Sequence, residues 1–214
     1  MQKSNLFILF VFLVFSLNIF AQQGNDFEGI IKIKKIYKTD TAYLTFQIKG
    51  NKVRIDEFNQ VHKKEKYAIV DVNIPEIIFL KPDKKIYTKI SAYSFKNTLD
   101  TNTQIIKTGN YKYILGQRCF QWRLKIPNLN TEITYWVAFE KYISFNKILS
   151  LMDSDIAGKY FLSIDGHENV FPMLVVERSM LREWKSQIEV LEIQKTSINN
   201  HIFEIPDDYT FFQK

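Results

Sequence analysis

Few residues of this chain have the type and spacing that metal binding requires. The three histidines, His62, His167 and His201, are scattered, and none has a second histidine four positions away, as the HExxH zinc motif needs. Cys119 is the sole cysteine, so the chain has neither a cluster of thiolate ligands nor an intramolecular disulfide. We therefore expect no metal site and no cofactor, and we interpret His62 and His167 as turn residues and Cys119 as a small strand residue rather than a reactive thiol.

The carboxylates are similarly unpromising as catalysts. Asp153 and Asp155 have the spacing of a calcium loop, but residues 156–159 lack the further oxygen ligands. Asp207 and Asp208 could form an acid–base pair, although adjacent side chains on a tail usually diverge and stay solvated. The chain has no Gly-x-Ser-x-Gly elbow, no glycine-rich phosphate loop and no dinucleotide fingerprint. We predict no catalytic residues and a protein that is not an enzyme.

The N-terminus has the pattern of a secretory signal peptide. Lys3 provides the positive region, residues 6–20 form an apolar run, and Ala21 precedes the expected cleavage before Gln22. The alternative, a retained membrane anchor, needs a longer apolar run. Removal of 21 of the 214 residues leaves 193, which suits a single domain, residues 22–214. We expect export to the periplasm or exterior of a Gram-negative bacterium, with no transmembrane segment after cleavage.

A strongly alternating hairpin dominates the rest of the sequence. Phe120, Trp122, Leu124 and Ile126 alternate with polar residues, and after a polar loop at residues 127–130 the alternation resumes with Ile133, Tyr135, Val137 and Phe139. A period of two is typical of a strand with one buried face. Because this hairpin carries two of the three tryptophans, we expect it at the centre of a sheet.

Similar alternation predicts strands elsewhere in the chain. They cover residues 27–37, 42–48, 52–58, 66–72, 77–80 and 86–90, with turns at residues 49–51 and 82–85. Residues 94–103 read as a surface loop, and residues 139–154 are predicted to include a short helix. The segment 173–197 fits either one helix or two strands, and periodicity leaves this open. The fold class is therefore mainly β with a few short helices, an antiparallel sheet of roughly ten strands.

Lysines are grouped along the first half of the chain, at residues 32–38, 63–66 and 81–89. Such groups could meet anionic lipid or lipopolysaccharide in a bacterial envelope. The alternative is a lysine-rich solvent-exposed face that keeps sheet edges soluble. Nucleic acid is not an expected partner of an exported protein.

Three short stretches resemble an exported family of unknown function, numbered 4412, which is related in fold to lipoprotein carriers of the LolA and LppX type. They are the Ile114-Leu115-Gly116 turn leading to Cys119 and Trp122, the segment from Glu132 to Ala138, and the closing segment from Phe203 to Tyr209. Asp207-Asp208 departs from the small residue and glycine expected there. The resemblance implies that residues 173–195 form a hairpin and that the sheet curls into an open half-barrel.

The resemblance also implies an apolar concave face. We expect a non-catalytic periplasmic binding or carrier protein that holds a lipid or acyl chain there, with Phe120, Trp122, Tyr135, Val137 and Phe139 as ligand-binding residues. The alternative is an envelope protein–protein interaction module with a filled core and no small-molecule ligand.

Overall fold

Twelve strands form a single sheet in the computed structural model, which describes residues 27–92, 99, 101–140, 147–149 and 156–213. The strands are β1 (Gly29–Tyr37), β2 (Thr41–Lys49), β3 (Lys52–Phe58), β4 (Lys64–Asp71), β5 (Glu76–Lys81), β6 (Ile86–Ser91), β7 (Gln104–Ile114), β8 (Gln117–Ile126), β9 (Thr131–Ala138), β10 (Phe171–Arg178), β11 (Trp184–Lys195) and β12 (Thr210–Phe211). The mainly β class is confirmed, and the expected count of about ten strands was low.

The strand order is β12-β6-β5-β4-β3-β2-β1-β11-β10-β9-β8-β7, so the curved sheet is open, with β12 and β7 at its edges. All neighbours pair antiparallel except β12 and β6, which are parallel. Two runs of sequential strands meet where β1 pairs with β11.

The predicted hairpin, β8–β9, exists in the expected register. The prediction that it lies at the centre of the sheet was wrong, because only β7 separates it from an edge. Its two tryptophans also differ in burial. Trp122 is buried, whereas Trp136 is half-buried beneath Lys112, whose Nζ lies 4.4 Å from the ring centroid. The presence of two tryptophans in this hairpin therefore did not indicate a central position in the sheet.

The ladders define two faces of the sheet. The inner face carries Ile33, which pairs with Leu44 of β2, and Phe46, which pairs with Ile55 of β3. On the other half of the sheet it carries Tyr135 and Val175, which pair directly. The outer face carries the residues between them, including Lys34, Asp56 and Thr134. Alternation within each strand therefore separates the two surfaces, as the sequence predicted.

Short helical pieces cover the inner face. The helix α1 (Ile156–Phe161) places Phe161 against Tyr135, with ring centroids 5.3 Å apart. Residues 147–149 are also helical, and Ile148 is fully buried. This confirms part of the helix predicted over residues 139–154, whereas 141–146 and 150–154 lie outside the described residues. Most of the predicted loop 94–103 and the predicted signal peptide lie outside them as well.

The outer face is covered on one half of the sheet by the C-terminal segment, residues 196–211. Ile198 and Phe203 pack into a cluster with Tyr67, Ile69 and Leu80 of β4 and β5. Polar contacts fix the segment to strand ends: Lys49 Nζ donates to the Ile198 carbonyl at 2.8 Å. The predicted closing stretch 203–209 is thus part of a structural cover.

Turn residues lie where the sequence placed them. Gly50, between β2 and β3, has a φ of 55°, which is the left-handed conformation that glycine adopts without steric cost. Asn130, between β8 and β9, has a φ of 46° and donates its N–H to the Pro127 carbonyl at 2.9 Å. The ambiguous segment 173–197 forms the hairpin β10–β11, as the family resemblance implied.

Candidate functional site

An apolar cavity of about 310 Å³ lies between the inner face and the helical cover. Strands β1 to β4 supply its floor because their inner-facing residues are apolar and in register across four strands. The side chains that line it include Ile33, Leu44, Phe46, Ile55, Ala68, Phe79, Tyr135, Ile148, Leu149, Phe161, Val175 and Ile188. Such a lining favours an apolar occupant, because the transfer of apolar surface from water into an apolar site is favourable.

Charged residues lie at one side of this cavity. Glu57 and Lys66 face each other across β3 and β4, and Lys66 Nζ lies 3.2 Å from Glu57 Oε2. Lys35 and Asp40 also contribute to the lining. The cavity therefore has an apolar interior and a polar margin, an arrangement that suits a molecule with an apolar body and a polar end.

The five residues predicted to bind ligand are distributed over three environments. Tyr135 lines the cavity. Trp122 and Val137 are buried beside it, in a cluster with Leu124, Ile133 and Phe161, and do not line it. Phe120 and Phe139 lie further out, packed on each other with centroids 5.5 Å apart, and Phe139 is 64% exposed.

Most of the lining was missed by the sequence reasoning, although its strands were predicted. Leu44, Phe46 and Ile55 lie in the alternating segments 42–48 and 52–58, which predicted β2 and β3. The signal that could have selected them is the small side chain of Ala42 and Ala68 among larger neighbours, because small residues on a covered face leave space. The residues that cover this face of β2 and β3 are helical residues far along the chain.

The remaining candidates for chemistry are held in structural contacts. Cys119 is completely buried in β8, and burial raises the pKa of its thiol. Asp208 is paired with Lys85 at 2.8 Å, and the hydrogen bond from that ammonium lowers the pKa of the carboxyl. His62 packs on Tyr43, with centroids 4.2 Å apart. In the part of the chain that the structure describes, no three His, Cys, Asp or Glu side chains converge as metal ligands would.

The lysine groups are partly neutralised by partners on adjacent strands. Lys32 Nζ lies 2.7 Å from Glu192 Oε2 across the β1–β11 ladder, and Lys89 Nζ lies 3.1 Å from Glu76 Oε1 across β5–β6. These pairs are exposed and contribute little stability each. They fit the solvent-exposed face that was the alternative to a lipid-binding surface.

The sequence model of a family described as "Domain of unknown function (DUF4412)" matches residues 27–209. The chain belongs to this family. No match was found among curated protein sequences. Among the described residues, no helix is long and apolar enough to cross a membrane.

The fold is similar to that of an uncharacterized conserved protein from Thermus thermophilus, with a TM-score of 0.53 and 5% identity over 90% of this chain and 93% of that one. PNGF-II matches at a TM-score of 0.43 and 12% identity, over 86% of this chain and 30% of its own. A putative outer membrane lipoprotein-sorting protein domain from Vibrio parahaemolyticus matches at 0.33 and 9% identity, over 82% and 88%.

Proposed function

We propose that the protein is an exported, non-catalytic binding or carrier protein of the bacterial envelope that holds one acyl chain or a similar apolar molecule in the inner cavity. The observation that carries this proposal is the cavity itself, with an apolar lining and a charged margin at Lys35, Glu57 and Lys66. Its volume lies at the lower end of the range of about 300–1,000 Å³ for small-molecule sites, which suits one chain rather than several.

The energetics support a reversible complex. Each methylene transferred from water into an apolar site contributes about 0.8 kcal/mol, so ten methylenes contribute about 8 kcal/mol. That free energy corresponds to a dissociation constant of about 1 μM before the costs of ordering the ligand. A carrier needs release as well as capture, and an affinity of this order permits both.

The first experiment is native mass spectrometry of the protein purified from the periplasm of a Gram-negative host, with lipid extraction of the same sample. A bound lipid of defined mass that is lost on denaturation supports the proposal and identifies its class. If no lipid is bound and a fluorescent fatty acid is not taken up either, the proposal is overturned.

A cavity-filling variant localises the binding. Ala42 faces the cavity from β2, so Ala42→Trp should fill part of it and weaken uptake of the fluorescent fatty acid at least tenfold. Tyr43→Trp is the matched control, because Tyr43 is the next residue of the same strand and faces outward, against Lys34. Equal binding by wild type and Ala42→Trp would show that the probe binds elsewhere.

A second candidate function rests on a different surface, the edge patch formed by Tyr111, Tyr113, Phe120 and Phe139. Tyr111 and Tyr113 on the edge strand β7 are 51% and 67% exposed, their rings contact each other, and the Tyr111 ring also contacts Phe120. Exposed aromatic groups beside an open strand edge are typical of protein interfaces. An envelope interaction module therefore remains the alternative. Crosslinking in intact cells through a photoreactive residue at position 113 would favour it if one partner protein were captured and fatty-acid uptake were absent.

A further inference from the structure

A second cavity, of about 300 Å³, lies on the outer face of β7 to β10 and has the opposite character. Its lining is polar and includes Gln121, Arg123, Glu132, Thr134, Arg178 and Arg182. It is separate from the apolar cavity, since Thr134 and Tyr135 are consecutive residues of β9 and point to opposite faces.

The charges of this arginine cavity favour an anion. Three guanidinium groups face one carboxylate, which leaves two positive charges. Arg123 uses Nε and Nη2 to donate to Glu132 Oε1 at 3.0 and 2.8 Å, so the glutamate is already neutralised. Arg178 and Arg182 have no acceptor for their side chains among the described residues. Two guanidinium groups are therefore available for a ligand.

Neutral donors add to the site. Gln121 Oε1 accepts hydrogen bonds from Thr108 Oγ1 and Asn110 Nδ2, both at 3.2 Å. This fixes the amide so that its Nε2 group, which has no partner in the described part of the chain, remains a donor. Thr134 contributes a hydroxyl group to the lining. Donors of three chemical types thus converge on one space.

The backbone of the strands that border the arginine cavity is irregular at two places. One bulge interrupts the β10–β11 ladder between Glu177 and Arg178, and another interrupts β7–β8 between Lys107 and Tyr111. Bulges redirect side chains and are frequent beside functional sites. Both of these border the arginine cavity.

Arg182 itself has a φ of 70°, a left-handed conformation that costs a side-chain-bearing residue about 1 kcal/mol. The turn that holds it is well braced: Ser179 Oγ accepts from the Glu183 N–H at 3.0 Å, and Asn130 Oδ1 accepts from the Met180 N–H at 3.1 Å. An arginine is thus kept where glycine or asparagine would fit the backbone better.

We propose that the arginine cavity binds a phosphate group, specifically a phosphomonoester. A guanidinium group donates two parallel hydrogen bonds to two oxygens of a phosphate, and two such groups match the charge of the dianion. A carboxylate has one negative charge and two oxygens, so it would leave part of the donor set unused. The phosphate could belong to a small soluble molecule or to the headgroup of a lipid.

The test uses two probes, phenyl phosphate in isothermal titration calorimetry and vesicles containing phosphatidic acid in a sedimentation assay. The variants are Arg178→Gln and Arg182→Gln. The control is Arg118→Gln, which removes the same charge from an exposed arginine of β8 that packs on Tyr111, 4.0 Å from the ring centroid, outside the cavity. Thermal denaturation checks that each variant is folded.

We expect each cavity variant to weaken phosphomonoester binding at least tenfold and the control to change it less than twofold. Binding of phenyl phosphate with this pattern identifies a soluble ligand, and binding of vesicles alone with this pattern identifies a lipid headgroup. The proposal is overturned if neither probe binds, or if Arg118→Gln weakens binding as much as the cavity variants, because either general surface charge or no site at all would then explain the data.

Discussion

Two cavities of nearly equal volume lie on opposite faces of one sheet, and their linings share almost no chemistry. The inner cavity is apolar and covered by helical residues, whereas the arginine cavity is polar and open on the outer face. Consecutive residues of β9 supply both, since Tyr135 faces inward and Thr134 faces outward. One strand thus serves two environments through the alternation of its side chains.

The two faces of the sheet should therefore respond very differently to mutation. Residues of the inner face pack against each other in the core, so truncating them should reduce the free energy of unfolding. Residues that line the arginine cavity on the outer face provide charges and hydrogen-bond donors, so replacing them should weaken phosphomonoester binding with little effect on the free energy of unfolding.

Tyr135→Ala should reduce the free energy of unfolding by about 4 kcal/mol, because truncating a fully buried aromatic residue leaves a large cavity beside Phe161. Thr134→Ala, one residue away on the outer face, should change it by less than about 0.5 kcal/mol. Urea denaturation of both variants measures the difference. Similar losses in the two variants would show that the inner and outer faces of β9 do not differ in their contribution to stability.

Asp56→Ala should reduce the free energy of unfolding by about 3 kcal/mol, which makes it an exception on the outer face. Asp56 is buried, and its carboxylate accepts from Arg54, Gln47 and Lys64 at 2.9–3.1 Å. Its removal leaves Arg54 poorly solvated and without this partner. Glu192→Ala, which breaks an exposed ion pair with Lys32, is the control and should cost less than about 1 kcal/mol. An equally small loss in Asp56→Ala would mean that water replaces the carboxylate.

Arg182→Gly should increase the free energy of unfolding by about 0.5–1 kcal/mol, because glycine relieves the left-handed strain at this residue. The same variant should lose phosphomonoester binding at least tenfold. Denaturation and titration of one sample measure both quantities. A loss of stability would show that the arginine side chain supports the turn.

Glu28→Gln should weaken the attachment of the C-terminal segment in a pH-dependent way. The Ile198 N–H donates to Glu28 Oε1 at 2.7 Å, and this bond, with Lys49 nearby, lowers the pKa of the carboxyl below its ordinary value of 4.5. A lowered pKa stabilises the fold above pH 4.5, and that stability is lost as the pH falls through the folded-state value.

The measurement is the melting temperature between about pH 7 and about pH 3, a range that spans carboxyl titration. The wild type should lose stability more steeply than Glu28→Gln below pH 4.5. Part of the slope should persist in the variant, because the hydrogen bond from Lys85 also lowers the pKa of Asp208. Identical profiles would show that the Ile198 N–H bond does not require the charge.

The strands were the most predictable part of this fold. Alternation is a local property, so β3 was predicted with its correct limits, Lys52–Phe58, and the β8–β9 hairpin with its turn. The order of the strands was less accessible. The β1–β11 pair joins the two ends of the chain, and no short-range pattern reports such a pair.

The candidate sites were harder still. The inner lining combines β2 residues such as Leu44 with Phe161 of α1, which are more than a hundred positions apart in the chain. Attention to aromatic residues favoured Phe120 and Phe139, which lie on the exposed edge patch. The arginine cavity escaped notice because Arg123, Arg178 and Arg182 form no motif in the sequence and meet only through the pairing of β8, β9 and β10.

The β1–β11 ladder also has a consequence for folding, because it joins strands from the two ends of the described chain. Lys32 and Glu192, paired across it, are separated by 160 positions, so this ladder closes a much longer loop than the hairpins between sequential strands, and we expect it to form after most of them. Until then β1, already paired with β2, presents an open edge to other molecules. Its lysines would make that edge repel a second copy of the same intermediate. Charges that contribute little to the finished protein can therefore protect the yield of folding.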